Sequence, residues 1–85
     1  RIDILAWDGD VLVLVDVRTR KTSPQGMRQA VSAAVARKVR RTADAYIESA
    51  DLQEVHWRYD RIDILVIAED RALLRHHRDA IHVTS

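Results

Sequence analysis

The chain has 85 residues, enough for one small domain, and a domain of that size buries only about 60% of its unfolded surface. With 47% hydrophobic and 32% charged residues it is globular in composition, and its net charge of +1 excludes nucleic-acid binding by bulk charge alone, so any such case rests on a local patch. The absence of Cys excludes disulfides and thiolate metal sites and points to a reducing, cytoplasmic setting, and no apolar run approaches the ~20 residues of a membrane span.

The first predicted element is a strand over residues 2–7, followed by Asp8-Gly9-Asp10 and a second strand over residues 11–17. An Asp-Gly pair between β-rich runs is a strong hairpin signal, because Gly supplies positive φ at little cost. Two registers are open. With Asp8-Gly9 as the loop, Asp3 lies opposite Leu14 and diagonal to Asp16. With Gly9-Asp10 as the loop, Asp3 faces Asp16 directly. Both registers put the two carboxylates on one face with Leu5, Leu12 and Leu14, because paired residues share a face. A three-residue loop or a bulge would separate them. The second strand is Val/Leu-rich on both faces, as expected of a central strand.

Residues 18–25 read as a polar loop opening with Arg18, Arg20 and Lys21. A helix follows over about residues 32–50, with Val31, Ala34, Val35, Val39, Ala43, Tyr46, Ile47 and Ala50 at helical spacing. Ser32 is the expected N-cap, with Ser23-Pro24 as an alternative start. Residues 51–59 connect to a third strand over residues 59–68, Glu69-Asp70 turns, and residues 71–77 form a fourth strand. Residues 79–83 suggest a short edge piece. The connection through a helix favours parallel pairing of the second and third strands, with a right-handed crossover. RIDIL occurs at residues 1–5 and 61–65, but the rest of the two halves does not match. The chain opens on Arg1, directly in a strand, so an N-terminally incomplete domain is expected.

Several residues carry a resemblance. Arg1-Ile2-Asp3-Ile4-Leu5-Ala6, Asp8-Gly9-Asp10 and Val15-Asp16-Val17-Arg18-Thr19-Arg20 are similar to the G-E-I-D-L-I-A strand, D-G-D turn and V-E-V-K-T-R strand of the YraN-like family of small bacterial proteins. The similarity continues through Gly26, Ala30-Val31, Arg37, Lys38, Arg40, Arg41, Ala45-Tyr46-Ile47 and Arg61-Ile62-Asp63. The resemblance implies an α/β, restriction-endonuclease-like core. Its mixed sheet has about four strands and one long helix, in the order strand-strand-helix-strand-strand, without the family's N-terminal helix. In the wider nuclease superfamily an Asp, a Glu or Asp, and a Lys two residues later carry catalysis. Asp3 and Asp16 match the acids, whereas Arg18 stands at the Lys position, Arg1 replaces a family Glu, and Val35 replaces a family helix Lys.

What the resemblance implies is a metal-dependent phosphodiesterase. Asp3, Asp16 and the Val17 carbonyl would hold Mg²⁺, or Mn²⁺ as its substitute, and the ion would activate water and stabilise charge on phosphate. Arg18 can grip a phosphate but stays protonated, so it cannot be the base, and its presence argues for weak or lost activity. Arg20, Lys21, Arg37, Lys38, Arg40 and Arg41 are candidate contacts to a phosphate backbone; the competing reading is a solvated helix face paired to Asp44 and Glu48. The expected partner is nucleic acid, with no membrane, and a homodimer is expected by similarity to related resolvases. The alternative is a catalytically silent relative serving as a structural or protein-interaction module. His76-His77 with His82 is not expected to bind metal, because adjacent strand residues point to opposite faces. Asp63 is expected in a structural hydrogen bond or supporting the basic helix, and Trp7 in packing the hairpin.

Overall fold

A computed structural model describes residues 2–21 and 31–81. Strand β1 (Ile4–Asp8), strand β2 (Val11–Arg20), helix α1 (Ala33–Ser49), strand β3 (His56–Ala68) and strand β4 (Arg71–His77) follow in chain order. They form a four-stranded sheet in the order β1-β2-β3-β4. β1–β2 and β3–β4 pair antiparallel, and β2–β3 pair parallel, as the intervening helix requires. Arg1, the alternative helix start at Ser23-Pro24, Gly26, Ala30 and His82 lie outside the described residues.

The hairpin takes the second of its two registers. Asp8 pairs with Val11, so the loop is Gly9-Asp10. Gly9 has φ +58°, whereas Asp10 is not among the residues with positive φ, the arrangement of a II′ turn with Gly first. Ile4 pairs with Val15, and one step further Asp3 stands opposite Asp16, with the Asp3 N–H donating to the Val15 carbonyl at 3.2 Å.

The first strand runs over Ile4–Asp8 and not residues 2–7, and in the two central strands two boundaries differ from expectation for one reason. The long parallel ladder extends both strands, pairing Val11–Val13 with His56–Arg58 at one end and Arg18–Arg20 with Asp63–Leu65 at the other. Arg18 and Arg20 therefore lie in β2 and not in a loop, and β3 begins at His56 and not at Tyr59. The expected edge piece after β4 is not a strand among the described residues: Asp79 is in a turn, and the Ala80 N–H donates to the Tyr59 carbonyl at 2.7 Å.

The helix begins where its sequence signal lies. The Ser32 hydroxyl accepts from the Val35 N–H at 3.2 Å, satisfying a donor that the first turn leaves open. The helix ends in a Schellman motif: the Leu52 N–H donates to the Ile47 carbonyl, the Asp51 N–H donates to the Glu48 carbonyl, and Asp51 takes φ 54°. Its apolar stripe lies over β2 and β3, where Val39 and Ala43 bury against Leu12, Leu14 and Tyr59. Val35, Tyr46 and Ile47 flank this core, while Ala34 and Ala50 are exposed.

On the opposite sheet face a charged strap replaces a second layer among the described residues. Arg58 of β3 reaches Asp8 of β1 at 2.9 Å, so its stem must cross β2. It also donates to Asp60 at 3.1 Å, and Asp60 contacts His76 at 2.8 Å and accepts from the Asp79 N–H at 2.9 Å. The strap thus joins β1, β3 and β4 across the back of β2.

Candidate metal and phosphate site

The sheet register sorts the polar residues into rows. On the helix-facing side, Asp16, Arg61 and His77 form one row across β2, β3 and β4, with Asp3, just before β1, continuing it, and Arg18, Asp63 and Arg75 form the next. Asp16–Arg61, Arg18–Asp63 and Asp63–Arg75 are opposite-charge neighbours, which is favourable, whereas Asp3 and Asp16 bring two like charges face to face.

The two carboxylates are tied to the backbone and to each other's strand. Asp3 Oδ2 accepts from the Val17 N–H at 2.9 Å, and Asp16 Oδ1 accepts from the Asp3 N–H at 3.2 Å. Asp16 Oδ2 accepts from the Tyr59 hydroxyl at 2.7 Å. Burial, then this bond, push the Tyr59 phenol well above its usual range, so Tyr59 is the donor.

Asp3 and Asp16 line a cleft of about 400 Å³ between the sheet and α1, together with Val17, Arg18, Lys38 and Thr42. This placement changes the standing of Lys38. Helical spacing puts it to one side of the face shared by Arg37, Arg40 and Arg41, and in the fold it joins Arg18 beside the carboxylates, so the two candidate sites meet at Lys38. Arg40 lines a different cleft, with Asp44, Trp57 and Tyr59. Arg37 and Arg41 are exposed and line neither cleft, and Arg20 and Lys21 continue the basic end of β2. The ion pairs seen among the described residues do not link the helix cations to Asp44 or Glu48.

The donor set fits a hard cation. Each carboxylate oxygen has two lone pairs, and each of the three hydrogen bonds above uses one, so acceptor capacity remains. Among the described residues no group of three or more His, Cys, Asp or Glu gathers as a metal cluster, which leaves Asp3 and Asp16 as a two-carboxylate set. Mg²⁺ tolerates such a set because it keeps several waters.

The histidines divide as expected. His76 faces the strap and contacts Asp60, whereas His77 faces the helix side and lies 3.2 Å from Asp63. Asp63 is buried between His77 and Arg61, whose Nε lies 3.5 Å away; these close approaches are not the hydrogen bond expected of it. Trp7 sits opposite Leu12 in the hairpin but is 49% exposed, so it packs only in part.

Tyr59 is the site residue that the sequence did not reveal. It reaches Asp16 only because β3 lies parallel to β2 in one particular register, and no turn between those strands encodes that register.

A mixed four-stranded sheet with one helix, in the order strand-strand-helix-strand-strand, is the architecture expected of a restriction-endonuclease-like domain. The model of the uncharacterised protein family UPF0102 matches residues 1–67. The chain belongs to that family, which is the YraN-like family of the restriction-endonuclease-like superfamily. It is 32% identical over 83 residues to the UPF0102 protein GSU0650 of Geobacter sulfurreducens, covering 96% of this chain and 65% of that protein. It is 31% identical to the UPF0102 protein CT2262 of Chlorobaculum tepidum, covering 87% of this chain and 58% of that protein. With the UPF0102 protein STH1475 of Symbiobacterium thermophilum it shares 33% identity, covering 95% of this chain and 70% of that protein.

Proposed function

We propose that the chain is a nucleic-acid-binding domain of nuclease type, in which Asp3 and Asp16 hold a divalent cation against a phosphodiester. The observation that carries this reading is the direct opposition of the two carboxylates in one cleft with the cations Arg18 and Lys38. The Val17 carbonyl would complete the oxygen set, and Mg²⁺ or Mn²⁺ would supply a polarised water and charge neutralisation at the phosphate.

The chain's own residues divide the remaining work. Arg18 presents a planar fork that matches two phosphate oxygens and stays protonated, so it binds and stabilises charge but takes no proton. Lys38 adds a second, mobile cation from the helix. Arg37, Arg41, Arg20 and Lys21 extend the positive surface along which a strand could run. Hydrolysis in this arrangement is slow, because no lysine follows Asp16 at the position that serves the proton transfer.

A second reading has an observation of its own. Asp3 and Asp16 close the end of the hairpin by accepting backbone N–H groups across it, which is what a purely structural pair would do. On that reading the protein is a catalytically silent interaction module.

The readings separate on binding of the protein to linear DNA, branched DNA and RNA, with Mg²⁺ or with EDTA. The nuclease-type reading expects affinity that rises with Mg²⁺ and falls with salt. Binding to none of the three substrates would leave the interaction module in its place.

A further inference from the structure

We propose that Tyr59 is a positioning residue for the cation site, holding the Asp16 carboxylate in a fixed plane; this rests on the reading of Asp3 and Asp16 as cation ligands. Tyr59 has no exposed surface, and its ring packs among Leu12, Leu14, Val39 and Ala43. An apolar ring would fill that space equally well, yet this one carries a hydroxyl that must be desolvated. The hydroxyl spends its bond on Asp16 Oδ2, at 2.7 Å. Since the ring is clamped by the core, the oxygen at its tip is a fixed point.

The other end of the carboxylate is also held. Asp16 Oδ1 accepts from the Asp3 N–H, so one bond to the backbone just before β1 and one to the core define the carboxylate plane before any cation arrives. Outer groups that orient a ligand in this way contribute substantially to metal affinity. They matter more for small ions that favour octahedral oxygen coordination, strictly for Mg²⁺ and more loosely for its substitute Mn²⁺, than for Ca²⁺, which accepts irregular coordination. Tyr59 therefore sets ion discrimination as well as affinity.

The test is Mn²⁺ and Ca²⁺ binding by calorimetry to wild type, Tyr59→Phe and Asp16→Ala, with the fold of each variant checked by circular dichroism. Tyr59→Phe is expected to weaken Mn²⁺ binding by about tenfold or more. It should weaken Ca²⁺ binding less, narrowing the preference, an effect that lost packing alone would not produce. Unchanged Mn²⁺ affinity in Tyr59→Phe, with loss in Asp16→Ala, would overturn the role of Tyr59 and leave the cation site standing. No Mn²⁺ binding by wild type would overturn both. A Mg²⁺ titration of wild type, followed through the Tyr59 ring resonances by NMR, needs no variant. Saturable movement of those resonances supports the role, and their silence while other cleft residues respond contradicts it.

Discussion

Asp60 shows how much one residue holds in this small domain. Burial pushes its carboxyl up, but the Asp79 N–H, His76 and Arg58 together outweigh burial and hold it below the usual carboxylate range. A carboxyl lowered by folding stabilises the protein fully above its unfolded value and loses that contribution as pH falls through the folded value. Stability should therefore decline on acidification below the ordinary aspartate value of 3.8, and Asp60→Asn should flatten that part of the profile in urea unfolding at successive pH values. At neutral pH, Asp60→Ala should cost about 2 kcal/mol, because it strands the Asp79 N–H and the Arg58 guanidinium, and a denaturant midpoint shift would measure it. Arg18 carries the corresponding prediction for activity. Arg18→Lys restores a side chain able to exchange a proton, and cleavage of a labelled duplex in Mg²⁺ should rise at least tenfold over wild type.

At the scale of elements, the helix and the hairpin carry their own instructions. Asp51 occupies a left-handed position where Gly is the usual residue, so Asp51→Gly should raise stability by roughly 0.5–1 kcal/mol, read from the thermal midpoint. Losing the Ser32 hydroxyl in Ser32→Ala should cost about 1 kcal/mol by the same measurement. These features are local, and local features are what the sequence makes legible. The Ser32 cap, the apolar stripe from Val35 to Ile47, and the Gly9 turn each depend on residues close together in the chain. The shared face of Asp3 and Asp16 is legible because a tight turn fixes parity, although the choice between two registers is made only by the pairing of Asp8 with Val11. The parallel register of β2 against β3 was not legible, since the two strands are joined through a helix and no turn sets their offset. The extension of β2 through Arg20, the early start of β3 and the reach of Tyr59 to Asp16 all follow from that one register.

For the whole molecule, charge placement matters more than charge total. A net charge of +1 gives little long-range attraction, but Arg18 and Lys38 share one cleft with Arg37 and Arg41 close by on the helix. Nucleic-acid affinity should therefore fall with added salt, and the double change of Arg37 and Arg41 to Ala should reduce the salt slope by about one to two ions in a binding titration. No helix among the described residues is long and apolar enough to cross a membrane. The central claim is that the opposed carboxylates of Asp3 and Asp16 form a divalent-cation site, and a calorimetric Mn²⁺ titration of wild type beside Asp16→Ala tests it most directly. Saturable binding by wild type that is lost in a folded Asp16→Ala is the predicted result; equal binding by both proteins, or by neither, would contradict it.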